Sequence, residues 1–300
     1  MATRPPPTPR RRKTAAKTVF DCANAFQKIA LDSVAAIKAH HKSACAGDAE
    51  AVHQIRVAIT RLRAAVVFFA PIAVDVEWLR LKKEIAWLNG PLGAARDSDV
   101  VMEYARRKRY GTWTLRISGK QLGDSQAQNH RRLVRCLRAV RTQRLIAALV
   151  RWIRQGPWLE RYKRRKHAEA LQLYCVGEFK RWHERLVRKG RYLKALDASR
   201  RHRLRIKVKR FRYMLEALAK TVDLGGQSKW RDLHRPAKRL QRALGDLRDL
   251  ERFADLAGGS PQADNGKRGK KHPPGYRNRK DKLLGDAIAA HRDLQQAAVC

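Results

Sequence analysis

The stretches HQIRVAITRLR, residues 53–63, and HRLRIKVKRFR, residues 202–212, are two copies of one pattern. His53 falls on His202, Arg56 on Arg205, Arg61 on Arg210 and Arg63 on Arg212, at a constant offset of 149. A second block follows each copy, LNGPLGAARDSDV at 88–100 and LQRALGDLRDL at 240–250. In it LGxxRD recurs as Leu92, Gly93, Arg96, Asp97 and as Leu244, Gly245, Arg248, Asp249. Between the blocks, WLRL at 78–81 answers WRDL at 230–233. A period near half the chain implies two similar halves facing each other across a pseudo-twofold axis, not a solenoid of short repeats. A site carried by one half is then doubled by the other.

Each helical residue advances about 100°. On that wheel Ile55, Ile59, Leu62, Val66 and Phe69 share one stripe, and Leu204, Val208, Phe211, Leu215 and Leu218 share its duplicate. These are the expected core faces. His53, Arg56, Thr60 and Arg63 form a second stripe, matched by His202, Arg205, Lys209 and Arg212, while Arg61 and Arg210 lie on a flank. A solvated charged face usually mixes Glu with Lys at i,i+4. Acids are almost absent from these rows, Glu216 being the near exception, and the same residue types recur at the same spacing. Both points favour a binding face. Gly93 and Gly245 are expected to let two helices approach closely, and Asp97 and Asp249 to hold nearby arginines in place.

The chain carries 68 Lys plus Arg against 27 Asp plus Glu, a formal net charge of +41. Such a charge repels itself in the compact state and draws a polyanionic partner. Arg offers a planar fork that pairs bidentately with phosphate oxygens, which Lys does not. Apolar residues are 44% of the chain, so a core is available and a disordered basic tail is excluded. Five cysteines, Cys22, Cys45, Cys136, Cys175 and Cys300, are widely spaced, with no CxxC and no zinc-ligand spacing. Free thiols in a reducing, cytoplasmic compartment follow. Asp21, Lys28 and Asp32 interrupt the early apolar residues, which argues against a signal peptide, and the longest apolar run, 64–74, is too short for a bilayer.

Periodicity is helical almost throughout, with no sustained alternation, and the expected architecture is all-α, built from antiparallel helical bundles. Helices are expected at 18–45, 49–69, 75–89, 92–109, 125–155, 158–189, 198–222, 228–256 and 281–297. Residues 1–17, rich in Pro and basic residues, read as a flexible arm, residues 111–124 as a loop and residues 258–280 as a long mobile loop. One domain then covers 18–297, its halves meeting near residue 150.

Non-specific nucleic-acid binding is the alternative reading. RRLVRCLRAVRTQR at 131–144 and RYKRRK at 161–166 suit phosphate contacts, but no helix-turn-helix, zinc-finger or RRM signature is present. Catalysis is not expected: metal-dependent phosphate chemistry needs clustered carboxylates, and the acids here are scattered. His40, His41 and Cys45 read as an exposed helix end, and no metal or cofactor is expected.

The duplicated blocks together resemble the CHAD family, α-helical domains named for recurring histidines. The resemblance rests on HxxRVxxxRLR with LGxxRDxDV in the first half and on His202 to Glu216 with Leu244 to Asp249 in the second. It implies two pseudo-symmetric four-helix bundles with a basic cavity between them that binds inorganic polyphosphate, and association with polyphosphate granules. Carried over position by position, it implies that His53, Arg56, Arg61, Arg63, Arg96, His202, Arg205, Lys209, Arg210, Arg212 and Arg248 face the ligand. Family members often carry a basic residue where Thr60 stands, which implies weaker binding by the first half. Polyphosphate has about one charge per phosphate and no bases to read, so repeated clamps along a helix rising about 1.5 Å per residue suffice. The histidines are expected to strengthen binding as pH falls.

Overall fold

A computed structural model describes residues 21–106, 119–164, 170–221, 227–258 and 275–297. Those residues fold as helices: α1 (Cys22–Cys45), α2 (Ala49–Phe68), the short α3 (Ala70–Ala73), α4 (Val76–Arg106), α5 (Gly119–Arg138), α6 (Val140–Gln155), α7 (Pro157–Lys163), α8 (Leu171–Gly190), α9 (Ala198–Thr221), α10 (Gln227–Gly258) and α11 (Tyr276–Gln296). No strand occurs among the described residues, and the fold is all-α. None of the described helices is long and apolar enough to cross a membrane. The arm 1–17 and most of the loop 258–280 lie outside the described residues.

The two helices that carry the repeat start where the chain chemistry directs. Gly47 turns the chain after α1 with φ of 91°, a left-handed conformation that glycine adopts without steric penalty. Asp48 then caps α2, its carboxylate accepting from the N–H of Glu50 at 2.8 Å and of Ala51 at 3.3 Å. Every residue of both expected core stripes is buried.

Several boundaries differ from the sequence expectation. Residues 75–89 and 92–109 do not form two helices. α4 runs unbroken through Pro91, which removes one hydrogen bond. The buried stripe Trp78, Leu81, Ile85, Leu88, Leu92 and Ala95 continues on both sides of it, and that packing outweighs the local penalty of about 3 kcal/mol. α10 likewise contains Pro236 within a continuous buried stripe. The expected helix 125–155 is two helices. The chain breaks at Ala139, extended at ψ 140°, and the Thr142 hydroxyl donates to Cys136 O at 2.6 Å across the break. This lets α5 and α6 each bury their own apolar face. α5 also begins earlier, taking in residues 119–124 of the expected loop. Helix 158–189 divides into α7 and α8. α11 begins at Tyr276, five residues before expectation, because Tyr276 is buried against Leu250, Phe253 and Ala254.

In the first half α1, α2, α4 and α5 each pack on the next, and α5 returns to α1; α6 covers α1 and α4. In the second half α8, α9, α10 and α11 repeat that circuit. α2 and α1 both pack on α9 and join the halves. The core is continuous across the join, where Phe68 meets Phe179 with centroids 4.8 Å apart and Phe179 meets Phe211 at 5.7 Å. Buried Asp75 ties α4 to α6 and α7, accepting from Trp78 N at 2.7 Å, Trp152 Nε1 at 3.1 Å and Trp158 N at 3.2 Å. The four described cysteines are free thiols.

Gly190 shows how tightly α8 meets α11. A Cβ there would clash with the ring of His291 at its Cδ2, and the ring's Nε2 lies 3.1 Å from Val187 O. Gly190→Ala is therefore expected to destabilise the protein by about 1–3 kcal/mol, read as a lower urea midpoint. Combination with His291→Ala should recover part of that loss, because the clash is pairwise.

Candidate anion-binding site

The burial of one face of α2 and of α9 directs the opposite stripes toward the seam where the two helices pack. His53, Arg56, His202, Arg205, Lys209, Arg212, Arg96 and Arg248 are all half-buried there. Charges from the two halves act on each other directly. Arg205 and Arg248 of the second half disfavour the charge on Arg56, and Arg56 and Arg61 of the first half disfavour the charge on Lys209. One cationic cluster, drawn from both copies of the repeat, occupies the seam.

The glycines of LGxxRD have a more specific role than letting helices approach. Arg56 Nη1 donates to Leu92 O at 3.0 Å, and a Cβ on Gly93 would sit 3.4 Å from that nitrogen. In the duplicate, a Cβ on Gly245 would sit 3.3 Å from Arg205 Nε. Each glycine is the seat of a guanidinium from the repeated helix. The burial of Arg205 Nε, which has no hydrogen-bond partner among the described residues, shows how closely the seat fits.

The second block adds its own cations. Arg248 Nη1 lies 2.8 Å from His202 Nδ1. The same Nη1 lies 3.3 Å from Nε2, and since a guanidinium can only donate, the ring nitrogen that meets it accepts. Asp97 pairs with Arg252 at 3.0 Å, linking α4 to α10 and hence one half to the other. Arg212 is bound by Glu216, which also accepts from His234 at 2.8 Å, and Arg212 Nε donates to Gln241 at 2.9 Å. Its guanidinium is thus partly engaged within the protein. The Thr60 hydroxyl donates to Arg56 O at 2.8 Å and adds no charge where its duplicate Lys209 does.

Tyr213, buried and absent from the expected set, lies among three cations. Arg61 stands 5.3 Å, Lys209 5.4 Å and Arg212 4.7 Å from its ring centroid. Comparison of the two copies hides it, since Ala64 holds the duplicate position. Arg252 was likewise hidden, its duplicate position being Val100. Burial and then the charge of Arg63 disfavour the charge on Arg210, and neither residue is among the cations that depress Lys209. By these interactions the expected set divides into a group around Lys209, which Arg61 joins through Tyr213, and the pair Arg63 and Arg210.

The other candidates have structural roles. Arg161 donates to Ile72 O at 3.0 Å and Val74 O at 2.9 Å, and Lys163 pairs with Glu160, while residues 165–166 lie outside the described residues. His41 Nε2 lies 3.0 Å from Leu137 O, joining the end of α1 to α5.

Crowding shows in the proton affinities. Burial first, then Arg205, Arg56, Arg212 and Arg61, push the Lys209 ammonium down to about 8. Burial and Arg96, with Lys209 and Arg56, hold His53 below the ordinary histidine value, Glu50 opposing them. Burial, Arg248 and Arg205 lower His202, with Asp97 opposing. Lowered values mean that the folded state binds fewer protons than the unfolded chain. The free protein should therefore gain stability as pH rises through the lowered histidine values toward 6.5, and again between about 8 and the lysine value of about 10.4. Denaturant midpoints measured from pH 5 to 10 check both windows.

The family model described as CHAD domain matches residues 28–258. The crystal structure of the CHAD domain from the plant Ricinus communis is similar, with a TM-score of 0.66 at 24% identity over 93% of this chain and 92% of that one. PptA from Streptomyces chartreusis is similar, with a TM-score of 0.57 at 16% identity over 92% of this chain and 99% of that one. At these identities the two structures bear on the fold alone. No curated protein matches the chain.

Proposed function

We propose that this chain, which belongs to the CHAD family, binds inorganic polyphosphate in the cationic cluster between α2 and α9. The observation that carries the reading is the meeting of two copies of one cationic row, with Arg56 and Arg205 seated on Gly93 and Gly245 and Lys209 depressed by its neighbours. A chain of phosphates would relieve repulsion that the protein has already built in. The nearby carboxylates support binding over catalysis, because Asp97 is paired with Arg252 and Glu216 with Arg212 and His234. Granule association in the cytoplasm follows from the same reading. So does a weaker grip by the first half, where Thr60 stands opposite Lys209.

Non-specific nucleic-acid attraction has a different seat. Arg131, Arg132, Arg135 and Arg138 on α5 are exposed, as are Arg141, Arg144, Arg151 and Arg154 on α6. These scattered charges are strongly screened by salt, whereas the half-buried cluster is screened less.

In titrations with long-chain polyphosphate at about 0.3 M salt, excess duplex DNA or RNA should not displace the ligand. Replacing Arg56, Arg205 and Lys209 together with Ala should weaken binding at least about tenfold and shrink the salt slope by about two to three units. Replacing Arg131, Arg135 and Arg138 should leave affinity at that salt nearly unchanged. Equal losses in the two triple variants would mean that general charge, and not the cluster, binds the polyanion.

Binding should also take up protons. A polyanion favours the charged forms of His53, His202 and Lys209, raising values that the free protein holds low. Affinity should then rise as pH falls through the bound-state values and level off once the free protein is itself protonated. Calorimetry near pH 8 in buffers of different ionisation heat should show uptake in the wild type and less in Lys209→Ala.

A further inference from the structure

The duplication places two side pockets at matching positions on the halves. One, of about 260 Å³, lies between α1, α2 and α9, and its lining includes Asp32, Ala58, Arg61, Tyr213 and Glu216. The other, of about 130 Å³, lies between α2, α8 and α9 and is lined by Val67, Trp182, Arg185, Leu186, Lys207 and Arg210. Three lining positions correspond at the offset of 149. Arg210 stands where the first pocket has Arg61, Lys207 where it has Ala58, and Val67 where it has Glu216.

The two have diverged in charge. The first carries carboxylates in its lining, Asp32 paired with Lys28 at 3.3 Å and Glu216 holding Arg212 and His234. The second has no carboxylate in its lining. Burial first, then the charges of Lys189, Arg185 and Arg210, lower the proton affinity of Lys207. Arg63 adds its charge to Arg210. Among the described residues none of these five is paired with a carboxylate. The floor beneath them is apolar: Trp182 and Leu186 are buried, and Val67 is 43% exposed.

Like charges held together over an apolar floor call for an anion that also has an apolar body. Polyphosphate supplies the charge but would leave the floor uncovered. We propose that the pocket between α2, α8 and α9 is a second anion site, separate from the central cluster, that takes a short phosphate chain bearing an aromatic group, the chemistry of a nucleoside diphosphate. Lys189, Lys207, Arg185 and Arg210 receive the phosphates, Arg through its bidentate fork. The aromatic group lies against Val67 and the rim of Trp182. The assignment does not depend on polyphosphate binding in the central cluster.

The test is calorimetric titration of the full chain with ADP and, separately, with inorganic pyrophosphate. The wild type should bind one ADP, at least about fivefold more tightly than pyrophosphate. Val67→Glu installs the carboxylate that the sister pocket carries, at a position exposed enough to spare the fold. It should weaken ADP at least about tenfold and leave polyphosphate affinity within about twofold. Lys207→Ala, with helix content checked by circular dichroism, should act in the same direction. The variant lacking Arg56, Arg205 and Lys209 should do the reverse, keeping ADP. No ADP binding by the wild type, or pyrophosphate binding as tightly as ADP, would overturn the proposal. Loss of ADP in the central variant while Val67→Glu is harmless would move the nucleotide to the central cluster and overturn it as well. If polyphosphate fails to bind while ADP follows the expected pattern, the central reading falls and this one stands.

Discussion

Two helices that repel each other must be held in contact, and the rest of the molecule serves that contact. α2 and α9 meet along faces that carry Arg56, Arg205, Lys209 and their histidines. Two like charges 4 Å apart repel by about 4 kcal/mol at an effective dielectric of 20, and less as they separate. The opposing stripes supply the attraction. Ile55, Ile59, Leu62 and Val66 on α2 and Phe69 at its C-cap, with Leu204, Val208, Phe211, Leu215 and Leu218 on α9, are all buried. Each large apolar side chain contributes about 1.5–3 kcal/mol on burial, so the core outweighs the crowding that the seam retains. The aromatic bridge of Phe68, Phe179 and Phe211 makes that core common to both halves.

Within the seam, position is as controlled as charge. A free arginine side chain has many rotamers; Arg56 is held by a backbone carbonyl and a glycine seat, and Arg205 by the duplicate glycine. Arg248 is oriented by the His202 imidazole, which must be neutral at that nitrogen to accept. These contacts place cations on rigid helices, where little ordering remains for a ligand to impose.

Duplication built the site and divergence gave its two sides different chemistry. Thr60 and Lys209 differ by one charge at the centre. Ala64 and Tyr213 differ by an aromatic ring that gathers Arg61, Lys209 and Arg212. Val67 and Glu216 differ by a carboxylate, present in the lining of one adjoining pocket and absent from the other. A symmetric ancestor would offer two equal faces, whereas this chain offers unequal ones on one backbone.

The core stripes of α2 and α9 were legible along the chain because helical periodicity is a local property, readable from neighbours three and four residues apart. The duplication was legible for a related reason: it is a comparison of the sequence with itself. Local reading misplaced the boundaries that packing decides. Pro91 reads as a break but sits inside α4, whose buried stripe continues past it, and Tyr276 reads as loop but begins α11 because the core takes its ring. The site divided along the same line. The sequence by itself determined an all-α chain with two cationic rows and the residues that compose them. Only the tertiary structure decided that the rows face each other across α2 and α9, that the glycines seat arginines, that Asp97 reaches Arg252, and that Arg63 acts on Arg210. Those relations join residues far apart in sequence, and their geometry comes from how apolar faces dock, which no spacing along a single helix encodes.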